Sequence, residues 1–279
     1  MAELVVGRRV LSLAEFDVVW RALGLGAPPV VLQLPSPGRT HTERRRVEAE
    51  VWTALRERGL ADVAGPELGL DRSLRLLAAP SLRVEVRAWG ALTVRAAMAD
   101  ADDDVVLARR HEDAVVVDAC ASIPGAVVGL LAGRPAGSGQ AATVPGSELE
   151  AALRRPSGAG LRADLVDRGV DRERAGLLAR MLHGIEGRAQ IAVLVPDRWG
   201  VLHRSGGLVE VLDTPRGRYL LTRTRSADGT SWTSVAPVDD RRLRQRLAEL
   251  LEQDGPTQSR SPCRISCRPA SVIEPDSDG

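Results

Sequence analysis

Side chains that commonly carry chemistry are few in this 279-residue chain: four histidines, three cysteines and no lysine. His41, His111, His183 and His203 are scattered, and none has a second histidine at the His-x-x-x-His spacing that puts two metal ligands on one helix face. Solvated or capping roles are expected for all four. Without lysine there is neither a Schiff base nor a phosphate-binding P-loop. The glycine-rich stretch 133–139 has a phosphate loop's composition, but it lacks the Gly-Lys-Ser/Thr ending and precedes a loop where a helix is needed. Gly-x-Ser-x-Gly, the nucleophile elbow, is absent. Asp100, Asp102, Asp103 and Asp104 read as a hairpin turn with solvated carboxylates. Cys263 and Cys267 lie in a tail without histidine, so a four-ligand zinc site is not expected there. The residues therefore predict no catalytic group, no metal ligand and no cofactor.

Composition agrees with a soluble, non-catalytic protein. The net charge is +1, from 38 basic and 37 acidic residues, which gives no case for a nucleic-acid partner. The run Arg44-Arg45-Arg46 is offset by Glu43, Glu48 and Glu50 and reads as a solvated helix face. No stretch reaches the ~18 apolar residues of a membrane helix, and three cysteines make no disulfide framework. A cytoplasmic location follows as the expectation. Aromatic residues make up only 3%, so leucine, valine and alanine must build the core.

The elements that would position any site follow a repeated grammar. Ser12 caps a helix over 13–23, with Glu15 completing a capping box. Residues 30–34 read as a short strand between prolines, and Thr42 as the cap of a helix to about Arg58. A helix over 66–77 and four strands over 81–89, 92–98, 105–110 and 114–119 follow, then an apolar segment after Ile123-Pro124. The Gly/Pro/Ser-rich stretch 132–142 is a connector. Beyond it come three helices, the first capped by Ser147 and the third by Asp171. Strands over 189–195, 208–213, 218–223 and 231–235 follow. Turns at Ser205-Gly206-Gly207, Pro215-Arg216-Gly217 and Asp228-Gly229 separate them, and a leucine-spaced helix closes the series. Strands then a helix, twice, indicate two related halves whose sheets join edge to edge. The expected bounds are 1–132, a connector at 133–146, 147–253, and a disordered tail at 254–279. The segment 4–6 is a further candidate strand.

The chain resembles the EspG family of chaperones in type VII (ESX) secretion. Three segments carry the likeness. They are Phe16-Asp17-Val18-Val19-Trp20 leading to Pro28-Pro29 and Thr42-Glu43-Arg44, then Val94-Arg95-Ala96-Ala97-Met98-Ala99, and Asp213-Thr214-Pro215-Arg216-Gly217-Arg218-Tyr219 with Asp228-Gly229 and Trp232 behind it. The resemblance implies an α+β fold, with a central antiparallel sheet built from two quasi-two-fold halves and flanked by two helical bundles. It implies a cytosolic chaperone that binds the apolar tip of the PPE subunit in a PE–PPE heterodimer. Such a protein would be a monomer or weak dimer, without nucleic-acid or membrane partners. Contact residues expected on the sheet and second bundle are Trp89, Leu177, Leu178, Met181, Val209, Val211 and Trp232. On this expectation Trp232→Ala or Met181→Asp weakens client binding more than it unfolds the chain. The turn at Gly90-Ala91 is shorter than in some relatives, which bears on client choice. The rival expectation is an enzyme or small-ligand binder with a cleft between the halves.

Overall fold

The computed structural model describes residues 7–90, 93–101, 104–154 and 160–254. The candidate strand at 4–6, Ala91, Asp102, Asp103 and the tail with Cys263 and Cys267 lie outside the described residues.

Each half spells strand, helices, four strands, helix. The first runs β1 (Arg9–Ser12), α1 (Leu13–Ala22), a 3-10 turn (Val30–Leu32), α2 (His41–Glu57), α3 (Leu68–Ala78), β2 (Leu82–Gly90), β3 (Val94–Ala101), β4 (Asp104–His111), β5 (Ala114–Ala119) and α4 (Ile123–Leu130). The second runs β6 (Ala142–Pro145), α5 (Gly146–Arg154), α6 (Leu161–Asp167), α7 (Arg172–Met181), β7 (Gly187–Pro196), β8 (Leu202–Thr214), β9 (Gly217–Arg225), β10 (Ser231–Pro237) and α8 (Asp240–Asp254). All ten strands form one sheet in the order β1-β5-β4-β3-β2-β7-β8-β9-β10-β6. That order is symmetric about the β2–β7 seam, where Val86 pairs with Ile191 and every neighbouring pair is antiparallel. The seam closes what would be an open edge in either half alone.

Alternation along the strands sorts side chains into two layers. Val84, Val86, Ile191, Val193, Val209 and Val211 face one side, where α4 and α8 cover the centre with Ile123, Val127, Leu243 and Leu247. The opposite side carries two bundles. Helices α1–α3 bury Phe16, Trp20, Leu55, Leu70 and Leu74 against β3, β4 and β5. Helices α5–α7 bury Leu149, Leu165 and Leu178 against β8, β9 and β10. Phe16 and Trp20 stack at 5.5 Å, one helical turn apart.

Several local expectations change. The capping residue of α2 is Thr40, whose hydroxyl accepts from the Glu43 amide at 3.2 Å while the Glu43 carboxylate accepts from the Thr40 amide at 3.2 Å. Thr40-x-x-Glu43 has the spacing of a capping box, and Thr42 does not. Residues 30–32 form a 3-10 turn, because Pro28, Pro29 and Pro35 deny a ladder its donors. Helix α5 starts at Gly146, which leaves Ser147 inside its first turn. Ser205-Gly206-Gly207 is no turn. Strand β8 runs through it, and the register slips between Ala192 and Leu194 so that these three residues oppose Val193 as a bulge. The stretch read as connector ends in an edge strand, β6, paired to β10. Ser12 with Glu15, and Asp171, cap as expected.

Arg218 ties the halves together. It is fully buried, and its guanidinium donates to Asp213, to Asp240 at the start of α8, and to the carbonyls of Leu131 and Ala132 after α4. Its own amide donates to the Pro135 carbonyl at 2.9 Å, which pins the connector. Among the described residues no helix is long and apolar enough to cross a membrane.

Candidate functional site

Between the bundles the central strands leave a strip of sheet that no helix covers. Glu85, Arg87 and Trp89 of β2 alternate onto it, next to Arg188 and Gln190 of β7, while Arg83 at its far end is buried and donates to the Leu77 carbonyl of α3. At the Trp89 end the strip deepens into a groove of about 340 Å³. Its floor is Glu210, Leu212 and Leu221, and its walls are Leu153 of α5 and Ile185 in the turn after α7. A smaller, more enclosed extension of about 110 Å³ continues along α5 toward Arg223. Trp89 is 39% and Ile185 42% exposed, so the mouth is apolar and open to solvent.

The buried carboxylate of the groove is satisfied by two neighbours. Glu210 is 3% exposed. It accepts from Arg188 at 2.5 Å and from Gln190 at 2.8 Å. The Arg87 and Arg188 guanidiniums lie 5.7 and 5.6 Å from the centre of the Trp89 ring, within cation–π range. Further along the strip Glu85 sits 3.2 Å from Arg83. Burial pushes the Glu85 carboxyl up, against the opposing pull of Arg83 and Arg204, and burial likewise lowers the Arg83 guanidinium.

This arrangement offers recognition surface. Among the described residues no three of His, Cys, Asp and Glu gather at one point. His203 accepts or donates a 3.0 Å bond with Asp197 at the β7–β8 turn, remote from the groove. Cys120 is half-buried, and burial pushes its thiol up to about 11, with Asp118 adding to the effect. A neutral thiol is a poor nucleophile.

The seven expected contact residues do not form one surface. Trp89 stands at the groove mouth. Leu177 is half-buried on the second bundle, while Leu178 and Met181 are sealed inside it, at 0% and 1% exposure. Val209 and Val211 point away, into the core under α4 and α8. Trp232 is half-buried, opposite Pro145 on the same far face of the sheet from Trp89. Leu178, Met181, Val209 and Val211 are thus corrected to core residues. Alternation told which residues share a face, but not which layer each face meets. The expectation for Met181 reverses with its burial. Met181→Ala should cost about 2–4 kcal/mol of stability and leave partner affinity of the folded fraction unchanged, measured by urea denaturation and calorimetry. Ile185, Leu153, Arg188 and Glu210 were missed. Ile185 had a signal: an apolar residue in a turn between Gly184 and the pair Glu186-Gly187 has no element to bury it.

The EspG family model matches residues 12–249. The chain belongs to the EspG family. No curated protein sequence matches it. Among solved structures it is similar to EspG5, the chaperone of the Mycobacterium tuberculosis type VII secretion system, determined in complex with the PE25–PPE41 dimer. The likeness has a TM-score of 0.68 at 16% identity and covers 88% of this chain and 96% of that one. At that identity it establishes the fold: an α+β sheet of two quasi-two-fold halves flanked by helical bundles. The segment 213–219, prominent in the resemblance, is the Arg218 clamp itself.

Proposed function

We propose that this EspG-family protein is a type VII secretion chaperone and not an enzyme. It holds the apolar tip of the PPE subunit of a PE–PPE heterodimer, keeping that tip from self-association before delivery to the ESX machine in the cytoplasm. The observation that carries this reading is the open groove between sheet and second bundle, rimmed by Trp89 and Ile185 and placed on a fold shared with a PE–PPE-bound chaperone. A helical tip seated there buries apolar surface at about 25 cal/mol per Å², so micromolar affinity, about 8 kcal/mol on top of an association cost of about 4–15 kcal/mol, calls for roughly 500–900 Å² of apolar burial across the groove and its surroundings. The docking residues in this reading are Trp89, Ile185 and Leu153.

The test is binding to purified PE–PPE heterodimers by calorimetry, alongside light scattering of the heterodimer with and without the chaperone. A soluble complex is expected, together with a fall in scattering. Trp89→Ala should weaken binding about tenfold, the loss of an exposed aromatic anchor, with Tm shifted by less than about 2 °C. Scattering that is unchanged at saturating chaperone would end the reading.

A further inference from the structure

One row of the sheet carries arginines in direct opposition. Arg110 of β4 pairs with Arg95 of β3, and Arg95 pairs with Arg87 of β2, all three on the bundle side. Beyond Arg87 the row continues to Gln190 of β7 and Glu210 of β8. Like charges directly opposite on a sheet face destabilise it. Arg110 is relieved by carbonyls, donating to Leu32 at 3.3 Å, to Gln33, and to Glu112 at 3.1 Å. Arg87 and Arg95 have no carboxylate partner among the described residues. Glu85 is turned to Arg83, and Glu210 is held by Arg188 and Gln190. Two positive charges therefore stand side by side without a carboxylate, Arg87 lying 5.7 Å from the centre of the Trp89 ring and Arg95 directly across from Arg87 on β3.

We infer that Arg87 and Arg95 receive a carboxylate from the client, so that the docking loop pairs an acidic side chain with the apolar one that fills the groove. This rests on the chaperone reading and adds to it the charge of the client tip. Two guanidiniums side by side suit a carboxylate, which accepts from both, and they repel a basic tip. The ledge would thus set partner choice, while the groove supplies most of the affinity. An unneutralised pair retained next to a docking groove is what such selection needs, because a self-satisfied ion pair discriminates nothing.

The test uses a panel of purified PE–PPE heterodimers, each prepared with its native acidic PPE-tip residues and with those residues changed to Asn or Gln. Binding to the full chain is measured by calorimetry at low and at physiological salt. The carboxylate form should bind at least tenfold tighter, and the advantage should shrink as salt rises. In Arg87→Gln/Arg95→Gln the two forms should bind alike. Should that variant fail to fold, the client-side substitutions decide alone. Equal affinity of carboxylate and carboxamide tips for the native chaperone overturns the inference and leaves the chaperone reading standing. Absence of binding to every heterodimer overturns both.

Discussion

Arg218→Ala should destabilise the protein by about 3–5 kcal/mol, the range for stripping one partner from a buried charge network. For a chain of this size that lowers Tm by roughly 6–20 °C. The side chain has no exposure. Its fork engages the Asp213 carboxylate twice, at 2.8 and 3.1 Å, and Asp240 once, at 3.0 Å. It also satisfies the Leu131 and Ala132 carbonyls at 2.7 and 2.9 Å, where α4 ends and its orphan acceptors need donors. Truncation strips the donor from the Leu131 and Ala132 carbonyls and from two carboxylates, of which Asp213 is 20% and Asp240 36% exposed, and it leaves a cavity where the buried guanidinium lay. Arg218→Lys keeps the charge but not the planar fork, and should recover less than half of the loss. Urea denaturation of the three proteins decides the matter. A cost below about 1 kcal/mol for Arg218→Ala would show that the network contributes no net stability.

The neighbouring glycines explain why the clamp needs its particular sequence. Gly217 has φ +113, and a Cβ there would lie 2.8 Å from the Ala136 carbonyl oxygen. A Cβ on Gly137 would lie 2.2 Å from the Tyr219 ring, which is buried and anchored through its hydroxyl to the Ser138 carbonyl at 2.9 Å. Backbone approaches that close admit only hydrogen. The connector is thus packed along the start of β9, which is how a Gly/Pro/Ser-rich stretch comes to be an ordered part of the fold. Composition alone marks it as a connector between the halves, and four residues of its far end, Ala142–Pro145, are too few to read as a strand.

What was legible followed from local chemistry. Ser12 with Glu15, and Asp171, announce helix starts because their side chains bond amides a few residues away. The alternation of Leu82, Val84 and Val86 with Arg83, Glu85 and Arg87 announces β2, because one face of it is dry. The two-half architecture was legible because strand and helix order repeats. The site was not, since it depends on which layer each face meets. Val209 and Val211 alternate as a contact surface would, yet that face lies under α4 and α8. Met181 and Leu178 lie on an amphipathic helix whose apolar side closes on β8, β9 and β10. Burial of a face is a fact of the assembled halves, and no window of sequence contains both.

Ile185→Asp should then be the most damaging single change to client binding, weakening it a hundredfold or more. Ile185 is 42% exposed and has no strand or helix to support, so its replacement costs the free chaperone little. In the proposed complex its position on the wall of the groove would make it a buried anchor, and truncating a central anchor costs about 2 kcal/mol or more. Aspartate adds a second penalty. The new carboxylate enters an apolar mouth flanked by Glu186 and Glu210, and Arg188 is already engaged by Glu210. A client tip would have to desolvate that charge, and any neutralisation by Arg87 would withdraw that guanidinium from the client's own carboxylate. At about 1.4 kcal/mol per decade, the anchor and the charge together exceed two decades. Calorimetry gives the affinity and a thermal melt confirms that the fold is intact, with Tm expected within about 2 °C of the native chain. Affinity within threefold of native would mean that the client docks elsewhere, and the exposed far face around Trp232 would be the next surface to test.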